Sequence, residues 1–351
     1  MTKKLLFIPP MFPIDESEDI VAPFITHFSQ IFTETTTVTV DVMPLMFPQT
    51  KKYSFGKLTI HPIGSGYKKS FKIIPYFIIA IIKGIQLQRK NNYDGILCFW
   101  YRECALIGKV LSSLFNIKLQ VWMLGQDVKK ENKYINLLKL PENEIIMMSA
   151  HQKNIFKENF NIDIKTIANV AIDRERFPKL NQNERPITIL GVGNLCVLKN
   201  YSLFVDIIDA LKKDFESINA IICGGDTGEK ANLENKITAL HLTENIKLVG
   251  SISHKEVLDY MNSSVVFLHT STFEGGGTVL QEALYSGCHV VSTIPMEDSK
   301  ELETFFYSEN KLILVEKIKS ILNNRNFNSF ERVEKFKMED TVSVVYDSFY
   351  K

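Results

Sequence analysis

Val265-Val266-Phe267-Leu268-His269-Thr270-Ser271-Thr272-Phe273-Glu274-Gly275-Gly276-Gly277-Thr278 begins as a buried strand and runs into a loop rich in hydroxyls and glycine. Helical period follows over 278–286, where Val279, Leu280, Ala283 and Leu284 share one face. Gly287 suits the left-handed residue past a helix end, and 289–293 is apolar again. Strand, loop, helix and strand in succession make the repeating unit of a parallel α/β sheet.

The same alternation extends in both directions. One series of short, β-branched apolar runs lies at 5–8, 37–42, 95–99, 119–123 and 144–148. A second lies at 187–192, 220–223, 246–249, 265–269, 290–293 and 312–315. Such unbroken runs suit strands covered on both faces. Between them the period is helical: Phe204, Ile207, Ile208 and Leu211 fall at i, i+3, i+4 and i+7.

At 351 residues the chain exceeds one ordinary core and suits two domains. The polar stretch Asp173-Arg174-Glu175-Arg176-Phe177-Pro178, continuing to Pro186, separates the two series. The prediction is an α/β protein of two Rossmann-like doubly wound domains facing across a cleft. They span 1–170 and 186–334, with a linker at 171–185. The tail 335–351 ends in a helix, 341–351, that packs on either domain. In open α/β sheets ligands bind beyond the carboxyl ends of the strands.

Composition bounds the function. Hydrophobic residues make up 45% and charged residues 23%, a soluble globular balance. A net charge of +1 gives no global field toward nucleic acid, so anion recognition must be local. Cys98, Cys104, Cys196, Cys223 and Cys288 are odd in number and scattered, mostly in apolar runs. That reads as reduced thiols in a cytoplasmic protein, without zinc spacing. The basic-then-apolar N-terminus is interrupted by Pro9, Pro10 and Pro13 and reads as a first strand, not a signal peptide.

The stretch 68–90 stands apart. Its apolar run Ile73-Ile74-Pro75-Tyr76-Phe77-Ile78-Ile79-Ala80-Ile81-Ile82 is flanked by Lys68, Lys69, Lys72, Lys83, Arg89 and Lys90. The run is shorter than the roughly 20 residues that cross a bilayer. Two readings stand: a buried helix with basic ends, or a basic amphipathic helix in peripheral contact with an anionic membrane.

The candidate chemistry centres on anions. A glycine-rich loop feeding a helix N-terminus offers backbone N–H groups and a favourable dipole to a diphosphate. Glu274 and Glu282 bracket that loop, and carboxylates accept from vicinal hydroxyls. Lys199, beyond the 187–192 strand, can neutralise a departing diphosphate. The pair Gly191 and Gly193 suggests a dinucleotide fingerprint, but Cys196 occupies the third glycine position. The Asp-x-Asp triplet usual in metal-dependent sugar transfer is absent, so the expectation is no metal and no cofactor.

Gly191-Val192-Gly193-Asn194-Leu195 with Lys199-Asn200, Cys223-Gly224-Gly225-Asp226, Ile246-Lys247-Leu248-Val249-Gly250 and the Glu-x7-Glu pair Glu274–Glu282 follow in that order. Together they resemble the donor domain of retaining GT-B glycosyltransferases of family 4, over roughly 187–295. Residues 167–173 resemble the family's segment before that domain, and Leu124-Gly125-Gln126-Asp127-Val128 a loop of its first domain.

The resemblance implies that Lys199 holds the diphosphate, Glu282 the ribose hydroxyls and Glu274 the donor-sugar hydroxyls near the reacting carbon. It implies that Gly275, Gly276, Gly277, Thr278, Gly193 and Asn194 border the donor, and that the backbone near Ile252 meets the base. It further implies a nucleotide-diphosphate sugar as substrate and a glycan, glycolipid or lipid-linked acceptor on the N-terminal domain, with retained configuration. Where many members carry Arg, His and an aromatic residue, this chain has Asn194, Leu124 and Gly276. The 99–104 stretch reads either as cleft lining or as ordinary βα packing. The competing functions are a non-catalytic nucleotide- or sugar-binding module and an NAD-dependent oxidoreductase.

Overall fold

The short apolar runs become strands because flanking helices cover them on both faces. The computed structural model describes residues 3–16, 18, 21–46, 49–66, 74–183, 185–296, 299, 301–324 and 330–351. The chain divides into two units, Met1–Ala171 with Lys337–Lys351, and Ile172–Phe336.

The first unit contains β1 (Lys4–Ile8), α1 (Pro23–Thr35), β2 (Thr39–Val42), β3 (Tyr53–Phe55), β4 (Leu58–Ile60) and α2 (Ile74–Asn91). It continues with β5 (Gly95–Phe99), α3 (Glu103–Phe115), β6 (Lys118–Met123), α4 (Lys133–Leu138), β7 (Ile145–Met147) and α5 (Ala150–Phe160). The sheet order is β3-β4-β2-β1-β5-β6-β7. Every neighbouring pair is parallel except the β3–β4 hairpin. Aromatic rings fill the space between α1 and the sheet. Phe28 meets Trp122 with centroids 4.9 Å apart, and Phe7 meets Phe32 at 5.4 Å, both edge-on.

The second unit contains β8 (Ile187–Val192), α6 (Tyr201–Lys212), β9 (Ala220–Cys223), α7 (Lys230–Ala239), β10 (Ile246–Gly250) and α8 (His254–Asn262). Then come β11 (Ser264–His269), α9 (Thr278–Tyr285), β12 (His289–Ser292), β13 (Phe305–Tyr307) and α10 (Lys311–Asn323). Its six strands run β10-β9-β8-β11-β12-β13, all parallel. Phe204, Ile207, Ile208 and Leu211 of α6 are buried, as their spacing predicts. The chain ends on α11 (Met338–Tyr350), which belongs to the first unit and packs on α1 and β6. Lys118 Nζ donates to the Phe349 carbonyl at 3.1 Å, and Gln120 Nε2 to that of Ser348 at 3.1 Å.

Three sequence expectations are corrected. Residues 312–315 are not a strand but the first turn of α10. The Asn310 side chain accepts from the Leu312 N–H at 2.9 Å, and Leu314, Val315, Ile318 and Ile321 form the buried stripe. A four-residue apolar run fits either period, and only the residues after it decide. The last strand is instead β13, and the β3–β4 hairpin was not foreseen.

The stretch read as a linker, 171–185, packs within the second unit from Ile172 onward. Arg185 is 5% exposed, donating to the carbonyls of Ser264 at 2.8 Å, Ser286 at 2.9 Å and Asn181 at 3.2 Å. Its guanidinium also lies 3.6 Å from the Phe330 ring centroid. Polar composition hides this role, because a guanidinium fork can be buried where carbonyls converge.

Finally, α2 is not a buried helix. It buries Ala80, Gly84, Leu87 and Gln88 and exposes Ile74, Ile78, Ile79 and Ile82. It packs on α3, where a Cβ at Gly84 would come within 2.4 Å of Leu111 Cδ1. Lys68, Lys69, Lys72 and Ile73 lie outside the described residues.

Arg185→Leu leaves three carbonyls without their donor, so urea unfolding of this variant should show a loss of about 3 kcal/mol. Arg185→Lys should recover only part of it, because an ammonium cannot match the planar fork.

Candidate active site

The order of the second sheet reverses between β8 and β11, which pair Ser264 with Ile187, Val266 with Ile189 and Phe267 with Leu190. Connections leave these strands in opposite directions, so their carboxyl ends border a crevice. The loop after β8 carries Lys199, and the loop after β11 carries Glu274. The two loops are tied together. Thr270 Oγ1 donates to the Lys199 carbonyl at 2.9 Å, and the Thr272 N–H donates to the Leu198 carbonyl at 2.9 Å.

That tie brings the side chains into contact. Lys199 Nζ lies 2.5 Å from Glu274 Oε1. The lysine stem crosses Gly193, where a Cβ would fall 2.7 Å from Lys199 Cε. Behind Gly193 the backbone of Gly224 approaches so closely that a Cβ there would stand 1.9 Å from the Gly193 carbonyl oxygen. Gly224 also has φ 158, a conformation that other residues rarely adopt.

Glu274 Oε1 is shared further. His269 Nε2 lies 3.0 Å from it, and Ser271 Oγ donates to it at 3.1 Å. His269 is 3% exposed at the end of β11, with Nδ1 3.3 Å from Ser292 Oγ on the adjacent β12. Burial pushes the Glu274 carboxyl up, but the His269 hydrogen bond and the Lys199 charge outweigh it and hold the pKa at about 2. Burial pulls the His269 pKa down, against the hydrogen bond to Glu274. Glu274 is therefore an anion across the physiological range.

Directly beyond Glu274 the glycine turn starts α9. Gly277 is its N-cap, left-handed at φ 66, with no side-chain cap. The N–H groups of Leu280 and Gln281 both reach the Gly277 carbonyl, at 2.8 and 3.2 Å. The amides of Thr278 and Val279 therefore enter the first turn with no intrahelical acceptor. Gly275, Gly276 and Thr278 are partly exposed, and Gly277 is buried.

The other sequence-predicted residues fall nearby in the same unit but in separate contacts. Glu282 Oε1 lies 2.8 Å from His254 Nε2, with both side chains largely buried. His254 opens α8 behind a capping box of Ser253 and Glu256. Ile252, two residues before it, packs against the apolar cluster that holds Leu280 of α9. Asn194 is exposed beside the Gly224-Gly225 turn.

The sequence reading missed His269, Ser271 and His254. One signal was available: His269 ends an otherwise apolar buried run, and a polar group there requires a partner.

In the first unit, Phe99, Tyr101 and Cys104 are core residues, which favours the packing reading of 99–104. Trp100 is left-handed at φ 68, held by its N–H donating to the Trp122 carbonyl at 2.8 Å. Asp127, in the 124–128 loop, is wholly buried and accepts from the N–H groups of Tyr101 at 2.9 Å and Gly125 at 3.0 Å. Burial raises its pKa to about 6. Among the described residues no three His, Cys, Asp or Glu side chains converge as a metal site.

Residues 172–337 match the family described as Glycosyl transferases group 1. The chain is 28% identical over 165 residues to a phosphatidylinositol N-acetylglucosaminyltransferase subunit of Homo sapiens, covering 46% of this chain and 34% of that protein. It is 27% identical over 277 residues to the capsular polysaccharide biosynthesis glycosyltransferase CapH of Staphylococcus aureus, covering 71% and 74%. It thus spans about a third of the first relative and three-quarters of the second. The structure of Anabaena Alr3699/HepE in complex with UDP and glucose matches with TM-score 0.71 over 99% of both chains at 14% identity, a likeness of fold. Two predominantly parallel sheets of this kind are the GT-B architecture. The family match and the named relatives support a glycosyltransferase.

Two outcomes test this geometry. Gly224→Ala drives a Cβ into the Gly193 carbonyl and should cost about 3 kcal/mol or more in denaturant unfolding. Glu274 has its folded pKa depressed from the ordinary 4.5 to about 2, so its ionisation stabilises the fold above pH 4.5. That contribution, on the order of 2–3 kcal/mol, should vanish as pH falls toward 2. The stability gap between the native chain and Glu274→Gln should narrow over the same interval in pH-resolved unfolding.

Proposed function

We propose that the chain transfers a sugar from a nucleoside-diphosphate donor to a hydroxyl of a glycan, glycolipid or lipid-linked acceptor. The observation that carries this reading is the Lys199–Glu274 contact at the start of the glycine turn. An ammonium gives three hydrogens, and Glu274 takes one. The others are available to a diphosphate oxygen, beside the amides of Thr278 and Val279 at the positive end of α9. Positive charge fixed before bond breaking stabilises the departing diphosphate without reorganisation. This supplies the counter-charge that a bivalent cation would otherwise bring, and transfer without a metal is part of the proposal.

Glu274, held ionised, accepts from hydroxyls of the donor sugar, and Glu282 from those of the ribose. Their histidine partners fix where each carboxylate points, and positioning of this kind accounts for much of the rate in such chemistry. Retention of configuration is included because of the family resemblance. The acceptor classes follow the relatives, one named for phosphatidylinositol and one for capsular polysaccharide. A uridine nucleotide is the first donor to test, since UDP occupies the Anabaena structure. A cytoplasmic location accords with Cys98, Cys104, Cys223 and Cys288, all free and buried.

Mass spectrometry of the chain with mixed nucleotide-sugars should reveal one donor consumed and its nucleoside diphosphate released. Lys199→Ala and Glu274→Ala should each lower that rate about 100-fold or more, with the fold retained. Undiminished turnover in both variants would remove these residues from the site. Tight NAD binding without nucleoside-diphosphate binding in calorimetry would replace the proposal with an oxidoreductase.

A further inference from the structure

A helix on a protein surface normally turns its polar residues outward. Helix α2 does the reverse over its first two turns. Ile74 is 50% exposed, Ile78 57%, Ile79 45% and Ile82 51%. At 100° per residue these four side chains fall within a single outward arc. Gln86, Arg89 and Lys90 continue the same arc in the last turns and are also exposed. The outward face is therefore apolar at one end and basic at the other.

Lone exposed isoleucines need no explanation, but four adjoining ones on one face mark an interaction surface. The chemistry of the face selects the occupant. From 68 to 91 the chain has no Asp or Glu, while Lys83, Arg89 and Lys90 lie on α2 and Lys68, Lys69 and Lys72 precede it in sequence. Two copies pairing through α2 would bring like charges together, with no carboxylate from the helix to offset them. A negatively charged lipid surface satisfies both halves of the face. The isoleucines enter the boundary of the acyl region, and the cations meet the headgroups. No helix among the described residues is long and apolar enough to cross a membrane, so α2 has to lie flat. Its 18 residues then extend about 27 Å along the surface.

We propose that α2 docks the protein on an anionic membrane, with Ile74, Ile78, Ile79 and Ile82 inserted and Arg89 and Lys90 on the headgroups. The inference deepens the reading of a lipid-linked acceptor, since docking places the first unit at the surface from which such an acceptor projects. It is tested without turnover, so its failure and the failure of glycosyl transfer are distinguishable.

The full chain should sediment with phosphatidylglycerol–phosphatidylcholine vesicles at low salt, and weakly with phosphatidylcholine alone. High salt should weaken the anionic binding. Ile78→Ser with Ile82→Ser should lower partitioning about tenfold or more. Its thermal melt should be unchanged, because both side chains already face outward. Ile78→Trp should give a blue-shifted emission on adding anionic vesicles, which reads insertion directly.

Three results would overturn the proposal: no sedimentation at low salt, equal sedimentation of the double serine variant, or a concentration-dependent dimer that the same variant abolishes.

Discussion

The contact between Lys199 and Glu274 joins two loops that leave the second sheet on either side of its reversal. Sequence separates the two residues by 75 positions, and the adjacency of β8 and β11 brings them together. The Thr270 hydroxyl and the Thr272 backbone N–H, bonded to carbonyls of the Lys199 loop, keep the glycine turn in register with the lysine. If that tie loosened, the helix N-terminus, the ammonium and the carboxylate would no longer share one locus.

The pair is held from behind. His269 and Ser271 bind the same oxygen of Glu274 that the lysine meets, and His269 is anchored in turn near Ser292. A partly buried carboxylate would ordinarily tend toward its neutral form. Here three partners on one oxygen reverse that tendency, and the charge becomes a fixed part of the scaffold. Glu282 has the same arrangement in simpler form, with one histidine partner at the start of α8. Each of the two carboxylates is thus oriented by a neighbouring strand end or helix start, which limits its motion more than a solvent-facing glutamate would experience.

The first unit follows a different logic. Its core is aromatic around Phe7, Phe28, Phe99 and Trp122, and α11 returns to pack on α1 and β6. Asp127 is buried among backbone N–H donors and shapes the loop after β6. Apolar surface omitted from that core is displayed on α2, where Gly84 allows close approach to α3 and the isoleucines remain outside.

Local pattern was enough to specify most strands and the α6 stripe, because a period of two or 3.6 is written into neighbouring residues. It was also enough to propose Lys199, Glu274 and the glycine turn, since each stands at a recognisable strand end or helix start. It failed at 312–315, where four apolar residues fit both periods, and at 171–185, where polar composition concealed the buried guanidinium of Arg185. The partners of Glu274 and Glu282 were also hidden. His269 is five residues from Glu274, but their contact depends on the path of the loop between them, and His254 meets Glu282 only once α8 and α9 are neighbours; no local period encodes either. Which side of α2 meets α3, and which stays exposed, was likewise settled by packing. The sequence determined the elements and the chemical types at their ends. The tertiary structure decided their pairings, because contacts between distant segments exist only once the sheet order is set.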